Sequence, residues 1–519
     1  MAGQVKPTSV LLILDGWGIG RNYPGNAIKL AKTPNINQLW QNYPHTQLVA
    51  SGEAVGLNAG VDGNSETGHL NLGAGRVVYQ SLKRVDQAID DGDFFVNPAL
   101  VQAVKHAQKN HSSLHLIGLL SHGFVHSSLK HLFALLDLAK KSGLKQVYIH
   151  GFTDGRDSPA TDGINVAAEV EEFCQTLGVG QLASLTGRLY GMDRDQIWDR
   201  VAKTYHLLVD GQGEKTANWR LAIKKQYEQK ITDEFLEPIM IEDAAGQTHP
   251  ISDHDAAIFF NFRVDRPREL TATFVQPDFS QFERRLPADL CFVTMAEYDP
   301  EFKIPVAFPK IQIEDNLGAS LSQAGLTQLR LTENEKQKMV TYYINGQVSG
   351  QYSGEEKKIF ASKGVKSYAE APAMSAPEIG QYLVEMVKKG KYDVIISNIC
   401  NGDMVGHTGN LKAGIEACET VDRVVGEIAQ AVLAVGGNLL ITADHGNIEE
   451  MINQETQAVD TKHSLNPVPL IIISPKLKDK KQTLSQGALA DVAPTFLSLL
   501  KIPPSTGMTG QNLLAPLKI

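Results

Sequence analysis

Three aspartates and three histidines near the two ends of this 519-residue chain have side chains that bind divalent metal ions. Asp15 follows the run SVLLIL. Asp403 and His407 stand four apart in NGDMVGHTG, a spacing that puts both on one face of a helical turn. Asp444 and His445 are neighbours in TADHGN, and His463 lies in DTKHSLNPVPL. Any one of them alone is more simply a loop residue or a helix cap; the joint set is what points to metal. A mixed oxygen and nitrogen set without cysteine suits Mn²⁺, Zn²⁺ or Fe²⁺ better than Ca²⁺. Six ligands exceed what one catalytic ion usually takes from protein, so two ions are the natural count. Two ions roughly 3.5–4 Å apart can stabilise both the attacking and the leaving oxygen of a phosphoryl displacement.

The stretch GNSETGHLNLGAGR, residues 63–76, supplies a candidate nucleophile, Ser65. It reads as a glycine-rich loop whose glycines permit close approach and unusual backbone angles. A serine hydroxyl is a weak nucleophile at neutral pH, and coordination to a metal sharpens it. The stretch lacks the Gly-Lys-Ser/Thr of a nucleotide phosphate loop. His69 reads as a residue bracing the loop rather than a ligand.

Seven short apolar runs end directly in polar residues suited to chemistry. SVLLIL leads to Asp15, LHLIGLL to His122 and His126, and QVYIHGF to Asp154, Arg156 and Asp157. LASL leads to Arg188 and Arg194, AAIFFNF to Arg263 and Arg266, YDVIISNIC to Asp403 and His407, and NLLIT to Asp444 and His445. Continuous apolar runs of this length predict strands buried on both faces, as in parallel sheets. Between them lie helical patterns. In residues 411–435, Ile415, Val421, Val424, Val425, Ile428 and Val432 recur at helical spacing until Gly436 and Gly437 stop them. The class is therefore α/β with mostly parallel sheets, in which ligands bind beyond the carboxyl ends of the strands. Metal-type residues lie near both termini and arginine-rich loops lie between. This predicts a discontinuous metal-binding domain of residues 1–77 and 310–519, with a substrate-gripping domain of residues 78–309 inserted.

A net charge of −9 without a basic tract argues against nucleic acid and membrane surfaces, so an anionic substrate needs a local cluster of Arg and Lys. Four scattered cysteines without a Cys-x-x-Cys argue against a disulfide framework and against thiolate zinc. The N-terminus MAGQVKPTSV has no apolar signal core, and the longest apolar runs are too short to span a bilayer. A cytoplasmic monomer is the expectation.

LLILDGWG, GNSETGHLNLGAGR, DGRD, GRLYGMDRD, FFNFRVDRPRE, DMVGHTG, TADHGN and HSLNPVPL, in this order from residue 11 to about residue 470, resemble cofactor-independent phosphoglycerate mutase of the alkaline phosphatase superfamily. The resemblance implies a phosphatase-like domain with an inserted phosphotransferase domain. It implies two Mn²⁺ ions, one on Asp403, His407 and His463, the other on Asp15, Ser65, Asp444 and His445. It implies that His126, Arg156, Asp157, Arg188, Arg194, Arg263, Arg266 and Lys336 hold 3-phosphoglycerate and 2-phosphoglycerate, with Lys338 a rival to Lys336. Ser65 would carry the phosphoryl group, Asp157 would act as acid and then base, and the domains would close during turnover. Guanidinium forks bind a phosphate and a carboxylate bidentately, which suits such a substrate; Arg200 reads as a surface ion pair. The chain departs from the family pattern at Gly402, usually proline, and at Phe124 and Ser128, usually glycine and histidine. A phosphohydrolase of the same superfamily, a phosphopentomutase and a non-catalytic binding protein are the alternative readings.

Overall fold

All seven runs form strands. The computed structural model describes residues 6–478 and 484–517. Every residue of Ser9–Leu14, Leu114–Leu120 and Val394–Ile399 is buried. Strands covered on both faces have no solvent side, which is why their sequences show no polar alternation.

The chain divides into two units, one of Met1–Gln80 with Ile311–Ile519 and one of Ser81–Lys310. The first holds an eight-stranded sheet in the order Glu355–Phe360, Gln328–Glu333, Val394–Ile399, Ser9–Leu14, Asn438–Thr442, Val468–Ile473, His45–Val49, Gly487–Ala488. The first five run parallel; Val468–Ile473 is antiparallel to both its neighbours. The second unit also holds eight strands, ordered Val306–Phe308, Cys291–Ala296, Ala256–Phe259, Leu114–Leu120, Val147–Thr153, Gln181–Gly187, Ile239–Ile241, Glu214–Thr216. Only the Gln181–Gly187 and Ile239–Ile241 pair is antiparallel. The class is α/β with two mostly parallel sheets.

Helices cover the sheets. The predicted long helix spans Leu411–Ala434; the Asn410 side chain accepts from Ala413 N at its start, and Gly436 follows at φ 74°. Its stripe of Ala417, Val421, Val424, Val425, Ile428 and Val432 joins the core of the first sheet. On the same helix Asp422, buried, accepts from Asn35 N (3.2 Å), Asn35 Nδ2 (2.8 Å) and Ile36 N (2.7 Å), tying down the first turn of helix Pro34–Asn42. The four cysteines are buried free thiols. Among the described residues no helix is long and apolar enough to cross a membrane.

Candidate active site

Four neighbouring parallel strands of the first unit each deliver chemistry at their carboxyl ends. Gln328–Glu333 leads to Lys336, Val394–Ile399 to Asp403 and His407, Ser9–Leu14 to Asp15, and Asn438–Thr442 to Asp444 and His445. His463 precedes the antiparallel strand Val468–Ile473, which starts at that same end. Asp15, Asp444 and His445 are fully buried, and Asp403 nearly so. Two groups could hold a metal ion: Asp403, His445 and His463, and Asp15, Asp444 and His445. His407 joins the first, with Nε2 3.1 Å from Asp403 Oδ1 and 3.1 Å from His463 Nε2. The structure thus brings all six predicted ligands together, with His445 facing both groups.

The donor set fits divalent ions. Each imidazole turns its Nδ1 to a backbone carbonyl: His407 to Thr461 O (2.7 Å), His463 to Gly63 O (2.8 Å) and His445 to Gly446 O (3.2 Å). Those bonds fix the Nδ1–H tautomer and leave the Nε2 lone pairs pointing inward. The three Nε2 atoms converge on Asp403 Oδ1 at 3.1, 3.2 and 3.8 Å. Lone pairs and a carboxylate oxygen so close require a cation between them or protons on the rings. Without a cation, hydrogen bonding to Asp403 raises the pKa of His407, and for His463 the same bond outweighs the opposing effect of burial. Asp444 Oδ2 is buried, 3.2 Å from His69 Nδ1 and 3.5 Å from His445 Nε2. Gly16 is required here: at φ 73° its N–H donates to Asp444 Oδ1 (3.2 Å), and a Cβ would lie 2.6 Å from Asp403 N.

Ser65 is not on a loop. It opens the helix Ser65–Ala74, capped by the Asn64 side chain, which accepts from Thr67 N at 2.9 Å. The glycines do permit close approach and an unusual angle, but on a helix: a Cβ on Gly68 would lie 2.5 Å from Asp444 O, one on Gly73 would lie 1.8 Å from Ile344 O, and Gly75 ends the helix at φ 60°. The positive end of the helix dipole therefore sits at the serine, where it favours an anionic group. Ser65 Oγ lies 3.3 Å from Asp15 Oδ1 and 3.0 Å from His445 Nε2, and it accepts from Lys336 Nζ at 2.6 Å. The same ammonium donates to Asp15 Oδ1 (3.0 Å) and Asp403 Oδ2 (2.7 Å). Burial opposes its charge, but Asp15, Asp403 and Asp444 prevail and raise its pKa. Lys338, the rival, is exposed.

Two supporting residues, Asn398 and Asn447, escaped the sequence reading, and a third, His69, read as a brace, takes a bracing position on the Ser65 helix. His69 lies in the Ser65 helix, with Nδ1 on Ser65 O (2.9 Å) and Nε2 3.0 Å from Asn398 Nδ2. Asn398 also donates to Asp15 Oδ2 (2.6 Å), so its amide orientation is fixed by two acceptors. Asn447 donates to Asp403 Oδ1 at 3.2 Å. The signal for Asn398 was a polar residue inside the apolar run YDVIISNIC; Asn447 stood out only by its place in TADHGN.

The second unit repeats the layout with opposite charge. Ala256–Phe259, Leu114–Leu120, Val147–Thr153 and Gln181–Gly187 lie side by side and lead to Arg263 and Arg266, His126, Arg156 and Asp157, and Arg188 and Arg194. Arg188 is buried, with Nη1 on Asp154 (2.5 Å) and Asp157 (2.5 Å) and Nη2 2.9 Å from His126 Nε2. Asp157 thus bonds to Arg188 rather than to its neighbour Arg156, which pairs with Glu234 at 3.4 Å. Asp265 accepts from Arg194 and Arg263, each at 2.9 Å, and Arg266 donates to Met192 O at 3.1 Å. Burial, with Arg188 and Arg263 adding, lowers the His126 pKa to about 4. Arg200 pairs with Asp193 at 3.0 Å. His122 pairs with Glu169 at 2.9 Å. Phe124 is about half exposed and takes a left-handed φ of 54°, the backbone a glycine would take without strain.

The chain is 47% identical over 517 residues to the 2,3-bisphosphoglycerate-independent phosphoglycerate mutase of Moorella thermoacetica, covering 99% of both chains. It belongs to that family. The 2,3-bisphosphoglycerate-independent phosphoglycerate mutase 1 of Methanosarcina barkeri is 46% identical over 98% of this chain and 99% of its own. The family model for the BPG-independent PGAM N-terminus matches residues 85–300, which include the whole arginine cluster. Among solved structures, a Leishmania mexicana phosphoglycerate mutase crystallised at low cobalt concentration aligns with a TM-score of 0.64 and 32% identity, covering 98% of each chain. This is a family of isomerases, and the chain carries two residue groups able to hold metal ions, as that reading requires.

Proposed function

We propose that this chain interconverts 3-phosphoglycerate and 2-phosphoglycerate in cytoplasmic glycolysis and gluconeogenesis through a phosphoserine on Ser65, without a bisphosphoglycerate cofactor. The observation that carries the reading is Ser65 Oγ at a helix start, 2.6 Å from a buried ammonium and 3.0 Å from His445 Nε2. Two Mn²⁺ ions would be held, one by Asp403, His407 and His463, the other by Asp15, Ser65, Asp444 and His445. When bound, they supply Lewis acidity to the serine and phosphoryl oxygens.

The residues of the chain do the rest. Lys336 stabilises negative charge on Ser65 Oγ and on the transferring phosphoryl oxygens. Ser65 Oγ, entering as the alkoxide that Lys336 stabilises, forms a bond to phosphorus as the bond from phosphorus to the 3-oxygen breaks, and that oxygen takes the proton of Asp157, which enters this step as the protonated acid. Glycerate stays held through its carboxylate by the guanidinium forks of Arg188, Arg194, Arg263 and Arg266, with Arg156 and His126 completing the grip. Asp157 then removes the proton of the 2-hydroxyl, whose oxygen takes the phosphoryl group from Ser65. Asp157 and Ser65 return to their starting states, so atoms and protons balance. Retaining glycerate while keeping water off the phosphoserine separates a mutase from a phosphatase.

The test is phosphorus NMR of chelated protein given 3-phosphoglycerate, no bisphosphoglycerate, and one of Mn²⁺, Co²⁺, Zn²⁺ or Mg²⁺. Isomerisation without free phosphate, restored by Mn²⁺, is expected. Release of free phosphate instead of 2-phosphoglycerate would make the chain a hydrolase, and rescue by Mg²⁺ alone would contradict the nitrogen-bearing ligand set.

A further inference from the structure

One buried carboxylate outside the candidate ligand set touches three of the four loops that carry the set and reaches the fourth through one side chain. Glu449 is fully buried. Its Oε2 accepts from Gly18 N (3.0 Å) and Asn447 N (2.9 Å); its Oε1 accepts from the Ser464 hydroxyl and from Asn466 Nδ2 (3.0 Å). Each donor sits beside a ligand in sequence. Gly18 follows Asp15 by three residues, Asn447 follows His445 by two, and Ser464 follows His463 directly. The fourth loop is reached through Asn447, whose amide donates to Asp403 Oδ1 at 3.2 Å.

The fit is close. A Cβ on Gly18 would lie 2.2 Å from Glu449 Oε1, and one on Gly446 2.3 Å from the same atom. Only a carboxylate meets four donors with acceptors alone; an isosteric amide would turn an NH₂ toward two of them. Moving any of the three loops that bond Glu449 breaks a charge-assisted bond to it, and the Asp403 loop is tied to the same arrangement through Asn447.

We infer that Glu449 is the positioning residue of both metal groups: it binds no ion, yet it sets the spacing of the loops that do. This rests on the metal reading proposed above. The competing account is a buried carboxylate that merely stabilises the fold. Asp422, which bonds Asn35 and Ile36, is the matched control.

Calorimetric titration of chelated full-length protein with Mn²⁺, alongside thermal unfolding, separates the accounts. Wild type should bind two ions. Glu449→Gln should bind both more weakly, by about 10–100-fold. Asp422→Asn should lower the melting temperature by a similar amount and keep wild-type affinity. Wild-type affinity in Glu449→Gln, or equal weakening in Asp422→Asn, overturns the inference; wild type binding no ions would overturn the metal reading beneath it. If Glu449→Gln does not fold, Asn466→Ala decides, since it removes one donor from a part-buried side chain. Several-fold weaker binding at an unchanged melting temperature supports the role, and unchanged binding rejects it.

Discussion

The two units place their functional side chains at the ends of the same kind of strand, yet they hold them differently. In the first, the carboxylates and imidazoles are short, mostly buried, and pinned by main chain: Gly16 N and His445 N on Asp444, three carbonyls on three histidines. In the second, Arg156, Arg194 and Arg263 are long, 45–54% exposed, and balanced by Glu234 and Asp265. On the proposed function, the groups that act on one atom are fixed before the substrate comes. The arginines that, on the same function, capture the anion carry an acid partner they can exchange for it. Arg188 is the exception, buried and locked to Asp154 and Asp157, and it anchors the arginine cluster.

Substitutions can break or sharpen this contrast. The largest effect belongs to Ser65→Ala: kcat should fall about 10⁴-fold or more with little change in melting temperature. A variant that still isomerised would remove the covalent step. Lys336→Ala should cost about 10²–10³-fold in kcat, while Lys338→Ala stays at wild type; the reverse ranking would move the ammonium's role to the exposed lysine. In the second unit, Arg188→Ala strands buried Asp154 and should lower stability by about 3–5 kcal/mol. Arg263→Ala should change stability by less than about 0.5 kcal/mol and show itself in KM for 3-phosphoglycerate. Denaturant unfolding with steady-state kinetics distinguishes anchor from exchangeable grip, and equal stability losses would erase the distinction.

A smaller effect concerns His126. Its pKa in the fold is lowered from 6.5 to about 4, so across that window the unfolded chain binds more protons than the folded one. Its contribution to stability is therefore present above pH 6.5 and lost as the pH falls toward 4. In chelated protein, His126→Asn should lose less melting temperature over this range than wild type. Parallel curves would place the proton uptake elsewhere. Smallest of all, Arg200→Ala should leave kcat/KM unchanged.

The ligand motifs and buried strands were legible because they are local: an apolar run covered on both faces, then a residue with few other uses. Ser65 was legible as a residue but not as the start of a helix, since Gly68 and Gly73 suggest a loop until the backbones packed against them are known. The charged strand Glu355–Phe360 was hidden because it lies at the sheet edge, where lysines face water. Partners such as Asn398 for Asp15, or Asp265 for Arg194, join residues far apart in the chain. Only the folded backbone brings those together.

The position of strand Ser9–Leu14 at the middle of its sheet has a consequence for biosynthesis. Both its neighbours, Val394–Ile399 and Asn438–Thr442, are translated after the other two strands of the parallel run, Gln328–Glu333 and Glu355–Phe360. At about 5–20 residues per second, the nascent SVLLIL waits on the order of 20–75 s for its first partner. Every strand of the second unit, Leu114–Leu120 through Val306–Phe308, leaves the ribosome within that delay. An apolar strand thus emerges long before either neighbour, and a ribosome stalled before residue 394 would display it without those partners.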